Sequence, residues 1–484
     1  MLRRKSRGCN THGSGRCRRE VKASRRRFLH DPDSGVPESG VFLWKRIAYA
    51  LGGIGALPAS ASSEHDMSPE DHEWQDLLAQ ARTLCDDPYF REVVWLHCGH
   101  LAPGVTATQL DTAIHVGDQM LLHSLRHHRD ANASFAQYFN VALQQYNAAQ
   151  QVLRALFPGA TDRIDVLDFA CGYGRLLRFL SLAMPRQHLY ASEIQADALQ
   201  YVRESFGVQG IASHGSPDEF RPGRSFDLIW VASLFSHLPE RLFEAWLRRL
   251  VDCLAPDGVL CFSVHDACLV PEGHVFPDSG FLFWPQSEND DLDTSLYGTT
   301  YVCENYVTGV IARVCGADRP WFRIPRGLAH EQDLYLVAAR PGRDLSVLRN
   351  FRRGPWGWAD ERELSPSGEV HVRGWAASLD DGPLDAVEIS VDGVLHRCPT
   401  GLAREDVARV LADPRLASAG WEFRHVPPPG EGPLRVVVSA RTPQNERALI
   451  YTGRFERPPA LRATTPATPR RGLLKRMAGW LRQG

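Results

Sequence analysis

The chain has 484 residues, 43% of them hydrophobic, with 32 prolines and a formal net charge of −2. It is too long for one ordinary core and apolar enough to fold, so two or three domains are expected, and the near-neutral charge excludes a generic nucleic-acid binder. The 11 cysteines are scattered, with no CxxC pair and no Cys/His cluster at zinc spacing, which predicts reduced core thiols, no metal site and a cytosolic location.

Residues 1–66 are basic and rich in Arg, Ser and Gly. Such a segment buries too little apolar surface to offset its ordering entropy, so disorder is predicted. Its stretch "FLWKRIAYALGGIGALPASASS" has the outline of a signal peptide but is too short and glycine-interrupted to span a membrane. Three readings compete: a disordered tail, an over-extended start with initiation at Met67, and a secretory signal, which conflicts with the ligand chemistry read from residues 165–193 below. Residues 68–157 read as helices, because "EDHEWQDLLAQARTL" and "NVALQQYNAAQQVLRALF" carry apolar residues three and four apart. His123, His127 and His128 lie between them without a convergent carboxylate or cysteine, so a solvated helix face is expected rather than a metal site.

The stretch "DVLDFACGYGRLLRFL" spans residues 165–180. Residues 164–167 have the composition of a buried parallel strand and 175–184 repeat at helical spacing, which makes 168–174 a strand-to-helix turn. Gly172 and Gly174 allow a sharp turn and a close ligand approach, and the following helix start offers unpaired N–H groups. Downstream, "HLYASEI" brings Glu193 to a strand end 19 residues beyond Gly174, where an acid can accept hydrogen bonds from ribose hydroxyls. The third glycine of a GxGxxG pattern is replaced by Leu177, so no pyrophosphate is expected.

Together, "VLDFACGYGR", "ASEI", "FDLIWVASLFSHLPE" and "LAPDGVLCFSVHD" resemble, in order and spacing, the motifs of class I S-adenosylmethionine-dependent methyltransferases, over residues 162–340. The resemblance implies an α/β, Rossmann-like domain with a seven-stranded, mostly parallel sheet and S-adenosyl-L-methionine over the carboxyl ends of the first strands. It places Asp168, Ala170, Gly172 and Gly174 in the cofactor loop, Glu193 on the ribose, His214 to Ser216 at the adenine, and Ser233 to Phe235 beside the sulfonium. Ala170 departs from the glycine usual in the family. Methyl transfer needs positioning, water exclusion and, for a hydroxyl acceptor, a base. Candidate bases are His265 with Asp266 at a strand end, His237, which alternatively braces the helix starting near Pro239, and His330 with Glu331. No metal is required.

The insertion at 267–318 is dense in aromatic and acidic residues and is expected to be a lid or acceptor pocket. Phe283, Trp284, Tyr297 and Tyr301 would stack on sugar faces and Asp290, Asp291 and Asp293 would bind hydroxyls; local packing of the lid is the alternative. After a linker at 341–367, short alternating runs over 368–457 predict an antiparallel β-sandwich, with "SVDGV" as an Asp-Gly hairpin. This part resembles small modules appended to bacterial polysaccharide-assembly enzymes. Trp375 and Trp421 are read as core tryptophans rather than sugar platforms. Residues 458–484 end in "RRGLLKRMAGWLRQG", either an amphipathic helix on an anionic membrane surface or a frayed basic tail.

The expected organisation is therefore a basic segment (1–66), a helical cap (67–157), the methyltransferase domain (158–340), a linker (341–367), the sandwich (368–457) and a tether with a basic helix (458–484). The expected function is O-methylation of a sugar or surface glycan at the inner membrane face. The alternatives are methylation of a small molecule or lipid, and a non-catalytic scaffold binding S-adenosylmethionine or glycan, suggested by Ala170.

Overall fold

In the computed structural model of the chain, residues 69–286 and 292–462 are described. The expectations for residues 1–66, Met67, Asp290, Asp291 and the terminal basic helix lie outside the described residues. Among the described residues four α-helices come first: α1 (Pro69–Asp86), α2 (Pro88–His97), α3 (Gln119–His128) and α4 (Ala131–Leu156). Asp87, Asp118 and Asp130 start the last three by accepting hydrogen bonds from first-turn N–H groups, which is why these helices begin where they do. No described helix is long and apolar enough to cross a membrane.

Alternating strands and helices follow: β1 (Val166–Phe169), α5 (Leu177–Ala183), β2 (Leu189–Glu193), α6 (Ala196–Phe206), β3 (Gln209–Ala212), β4 (Phe226–Val231), α7 (Glu240–Asp252) and β5 (Leu254–Asp266). After them come β6 (Phe281–Trp284), β7 (Thr299–Val302), α8 (Glu304–Cys315), β8 (Trp321–Leu328) and β9 (Gln332–Ala338). β1 and β2 are buried along their whole length, as strands covered on both faces must be.

The sheet has nine strands where seven were expected. Seven run in the order β3-β2-β1-β4-β5-β9-β8, with β9 antiparallel to its neighbours. The insertion supplies the other two: β7 pairs with His265 and Asp266, where β5 outruns β9, and β6 pairs with β7. The insertion is thus a ribbon at the carboxyl edge of the sheet, where open α/β sheets bind ligands.

The sandwich starts earlier than its sequence pattern suggests. β10 (Pro355–Leu364), placed in the linker above, pairs along β11 (Val370–Ser378). Glycine, proline and arginine around its alternating tryptophans give it the texture of a linker. β10, β11, β12 (Gly382–Pro383) and β15 (Gly420–His425) form one sheet. The other contains β13 (Ala386–Val391), β14 (Val394–Pro399), β16 (Leu434–Arg441) and β17 (Arg447–Phe455), and α9 (Glu405–Val410) crosses one end. The Asp-Gly hairpin forms as expected, with Asp392 at φ 49° and Gly393 at φ 77°, the left-handed pair of a type I′ turn. Trp375 and Trp421 are buried in the sandwich cores.

The N-terminal helices are an inner layer as well as a cap. On α4, Phe135, Phe139 and Tyr146 join the core beneath the sheet, whereas Ala136 joins the sandwich core. Polar bonds cross the same seam: Gln144 Nε2 donates to Pro355 O (2.8 Å), Gln151 Nε2 to Arg352 O (2.7 Å) and Arg454 N to Asn132 Oδ1 (2.9 Å). His128, expected on a solvated face, instead stacks on Trp358 with ring centroids 4.9 Å apart. The nine described cysteines are free thiols, with Cys268 exposed rather than in the core.

Candidate active site

A cavity of about 380 Å³ opens at the carboxyl ends of β1, β2 and β4. Its floor is the β1 end: Asp168, Phe169, Ala170, Cys171 and Gly172. The chain reverses there through two left-handed residues, Ala170 at φ 57° and Gly172 at φ 53°. A Cβ on Gly172 would meet nothing within 4 Å, while one on Gly174 would lie 2.5 Å from Phe206 Cε2 and 2.8 Å from Val202 Cγ1. Gly174 therefore admits α6 against the turn and does not line the cavity; its expected cofactor contact is corrected to a packing role.

Glu193 closes the β2 end. Its Oε1 accepts from Ile194 N (2.7 Å) and Gln195 N (3.2 Å), and its Oε2 from Gly172 N (2.9 Å). Three donors leave a carboxylate room for about one more, on the oxygen that carries a single bond. Burial pushes the Glu193 carboxyl upward against those three N–H groups. Asp168 is 2% exposed and its Oδ2 has no hydrogen-bond partner. Burial first, then the Glu193 charge, push its pKa up to about 8, with Arg175 opposing. Two acids facing one cavity, one lacking a partner, form a site waiting for a cation or for hydroxyl donors.

Ser213, His214 and Gly215 line the side beyond β3. Ser216 lies just outside, starting a short 3-10 turn at Pro217. At the β4 end Ser233 is left-handed, at φ 59°. Its N–H donates to Ser263 Oγ (2.7 Å), Ser263 Oγ donates to Gln332 Oε1 (2.6 Å), and Gln332 Nε2 donates to Ser233 Oγ (3.0 Å). Sequence reading missed Gln332 and Ser263; the one available signal was a serine inside the apolar strand "CFSVHD". Asp118, Gln119 and Met120 from the start of α3 and Gln145 from α4 form the opposite wall. They are far from the sheet motifs in sequence and carry no motif of their own.

None of the three candidate histidines lines the cavity. His330 is buried in the β8–β9 turn, where Nε2 donates to Gly354 O (3.1 Å) and the ring stacks on Trp356. Burial depresses its pKa to about 3, and it lines the seam with the sandwich rather than the cavity. His265 Nε2 accepts from Gln332 Nε2 (3.2 Å) and its ring lies 5.4 Å from that of Tyr301. Asp266 is held by Arg323 (2.8 Å), which also binds Asp333 and Glu304. His237 Nδ1 donates to Gly298 O (2.7 Å), and its ring stacks on Tyr297 at 4.5 Å and lies 6.0 Å from that of His265. His237 thus ties the β4 loop to the ribbon, helped by Thr300 Oγ1 donating to Leu238 O (2.6 Å).

From the ribbon, Leu292, Asp293, Leu296 and Tyr297 line the cavity. Asp293 Oδ1 accepts from Ser295 N (2.8 Å). Trp284 packs edge-on against Tyr301 (5.2 Å), and Phe283 lies over Gly298. Of the four expected aromatic platforms, only Tyr297 faces the ligand space.

A curated relative, malonyl-[acyl-carrier protein] O-methyltransferase of Acetivibrio thermocellus, is 26% identical over 151 residues. The match takes in 31% of this chain and 52% of the relative, so the chain spans about half the length of that protein. Among solved structures, the S-adenosylmethionine-bound amino pentose methyltransferase of Micromonospora echinaspora is 18% identical at TM-score 0.30, covering 41% of this chain and 92% of that one. The 1,6-didemethyltoxoflavin N1-methyltransferase of Burkholderia thailandensis is 18% identical at TM-score 0.28, covering 40% and 76%. Residues 166–258, which carry the β1, β2 and β4 ends of the cavity, match the family model of a methyltransferase domain.

Proposed function

We propose that the protein is an S-adenosylmethionine-dependent methyltransferase acting on a small molecule or a saccharide. The observation that carries this reading is the acid pair at adjacent strand ends, with Asp168 Oδ2 buried and unpartnered and Glu193 Oε2 able to take one more donor. That pair of acceptors suits the ribose and cationic parts of S-adenosylmethionine, which when bound supplies a methyl group already activated on a sulfonium. Asp168 would face positive charge and Glu193 a ribose hydroxyl. Leu296 and Tyr297 on one side and Met120 and Gln145 on the other exclude water and hold the acceptor.

The saccharide form of the proposal rests on Tyr297 and Asp293 lining the cavity, an aromatic face beside a hydroxyl acceptor. The placement of the histidines supports a second reading. Because none of the three candidate bases, His237, His265 and His330, lines the cavity, an acceptor that is nucleophilic without a base, such as an amine or a carboxylate, fits as well as a neutral hydroxyl. The relative named for malonyl-[acyl-carrier protein] O-methylation is in keeping with it. Transfer of labelled methyl groups to a panel of glycosides, amines and carboxylic acids tests both. Labelled glycosides support the first reading and labelled amines or acids the second. Cofactor binding without transfer to any class would favour the scaffold.

A further inference from the structure

Where α4, the β8–β9 turn and the sandwich meet there is a second pocket, separate from the cofactor cavity. Trp356 and Trp358 alternate along β10, and Trp358 pairs across the strands with Trp375 on β11. The three indoles therefore stand on one face of the sheet. Trp356 and Trp358 are half-buried and Trp375 is 1% exposed. Asn140 of α4, 2% exposed, forms part of the same lining.

Two polar atoms among these residues are buried without partners: Asn140 Oδ1 and Trp375 Nε1. One is an acceptor and the other a donor. A buried polar group left unpaired is costly, and a hydroxyl can donate to one such group and accept from the other. Arg326 and Glu331 add charged hydrogen-bonding groups to the lining. The pocket's volume is about 50 Å³, room for one or two water-sized groups and too small for a sugar ring. A ring would have to lie outside, against the tryptophans, with one arm reaching in.

We infer that this seam pocket binds carbohydrate, with an apolar C–H face of a pyranose on the face of Trp356 that the stacked His330 leaves open, beside Trp358, on which His128 stacks and over which Arg362 lies, and a hydroxyl or hydroxymethyl arm directed to Asn140 and Trp375. Apolar rings with a few fixed polar groups are the general chemistry of such sites. The pocket also adjoins the cavity in sequence: Glu331 lines it, and the next residue, Gln332, is bonded to Ser233. A saccharide held at the seam would thus touch a residue next in sequence to the Gln332–Ser233 bond, a connection that rests on the saccharide form of the proposed function.

The test titrates the full chain, without methyl donor, with cellotriose, maltotriose and chitotriose, reading tryptophan fluorescence and saturation transfer from indole protons to sugar protons. At least one probe should bind saturably with transfer to its ring C–H protons. Trp356→Ala and Asn140→Ala should each weaken it by tenfold or more while leaving S-adenosylhomocysteine affinity unchanged. The saturation-transfer pattern of the wild-type chain stands as evidence should either variant fail to fold. Absence of binding by all three probes, as for a pocket that holds only water, overturns the inference. So does binding that survives in both variants. Because no donor is present, either outcome leaves the methyltransferase reading standing.

Discussion

Ala170 holds a left-handed backbone, φ 57°, at the cavity floor, a conformation that costs an L-residue about 1–2 kcal/mol and glycine almost nothing. Ala170→Gly should therefore stabilise the chain by about 1 kcal/mol without loss of cofactor affinity, as chemical denaturation and calorimetry would show. A loss of affinity would mean that the methyl group is part of the site. Asp168 gives a pH signature. Burial and the Glu193 charge raise its carboxyl from the ordinary 3.8 to about 8 in the fold, so between those values the folded state holds a proton that the unfolded chain has released. Stability of the ligand-free protein should then fall as pH rises from about 4 to 8 on this account, and Asp168→Asn should flatten that part of a melting-temperature profile. At this scale Asp168, Ala170, Gly172 and Glu193 were legible in the sequence, because strand-end acids and turn residues sit in a local pattern. Gly174 was not, because a glycine that admits a packed helix looks the same as one that admits a ligand.

Among the elements, the alternating strands and helices could be read from periodicity, and the position of the insertion followed from where β5 ends. Two features could not be read. β10 was lost among glycine, proline and arginine, and the wall formed by Asp118 to Met120 and Gln145 comes from helices with only generic amphipathic patterns. The histidines show the same limit: His237 and His265 come within 6.0 Å of each other, yet their spacing gave no sign that one would tie down the ribbon and the other meet Gln332. His237→Ala should raise the acceptor KM through loss of the Gly298 bond, with kcat changed by only a few-fold. A base would instead show a loss of roughly 10²–10⁴ in kcat with its pH limb. Steady-state kinetics of that variant beside His265→Ala separates brace from base.

At the scale of the whole molecule, the sandwich is fused to the α/β half through α4, which no run of sequence announces. Three histidines sit at that seam: His97 bonded to Ser439 (2.8 Å), His128 on Trp358 and His330 bonded to Gly354 (3.1 Å). Burial lowers their pKa values to about 4, about 3 and about 3 from the ordinary 6.5. For groups depressed in the fold, the stability is fully present above the unfolded value and is lost as pH falls toward the folded ones. Limited proteolysis from pH 7 down to about pH 4 should therefore cut residues 341–354 progressively faster, and His128→Gln with His330→Gln should blunt the trend. The central claim, that the acid pair at the β1 and β2 ends holds S-adenosylmethionine, is tested most directly by calorimetric titration of the full chain and of Glu193→Ala with S-adenosylmethionine. The account predicts saturable 1:1 binding by the wild-type chain, weakened by about 1.5–3 kcal/mol in the variant through loss of charge-assisted hydrogen bonds. Absence of binding by the wild-type chain, or equal affinity in the two proteins, would contradict it.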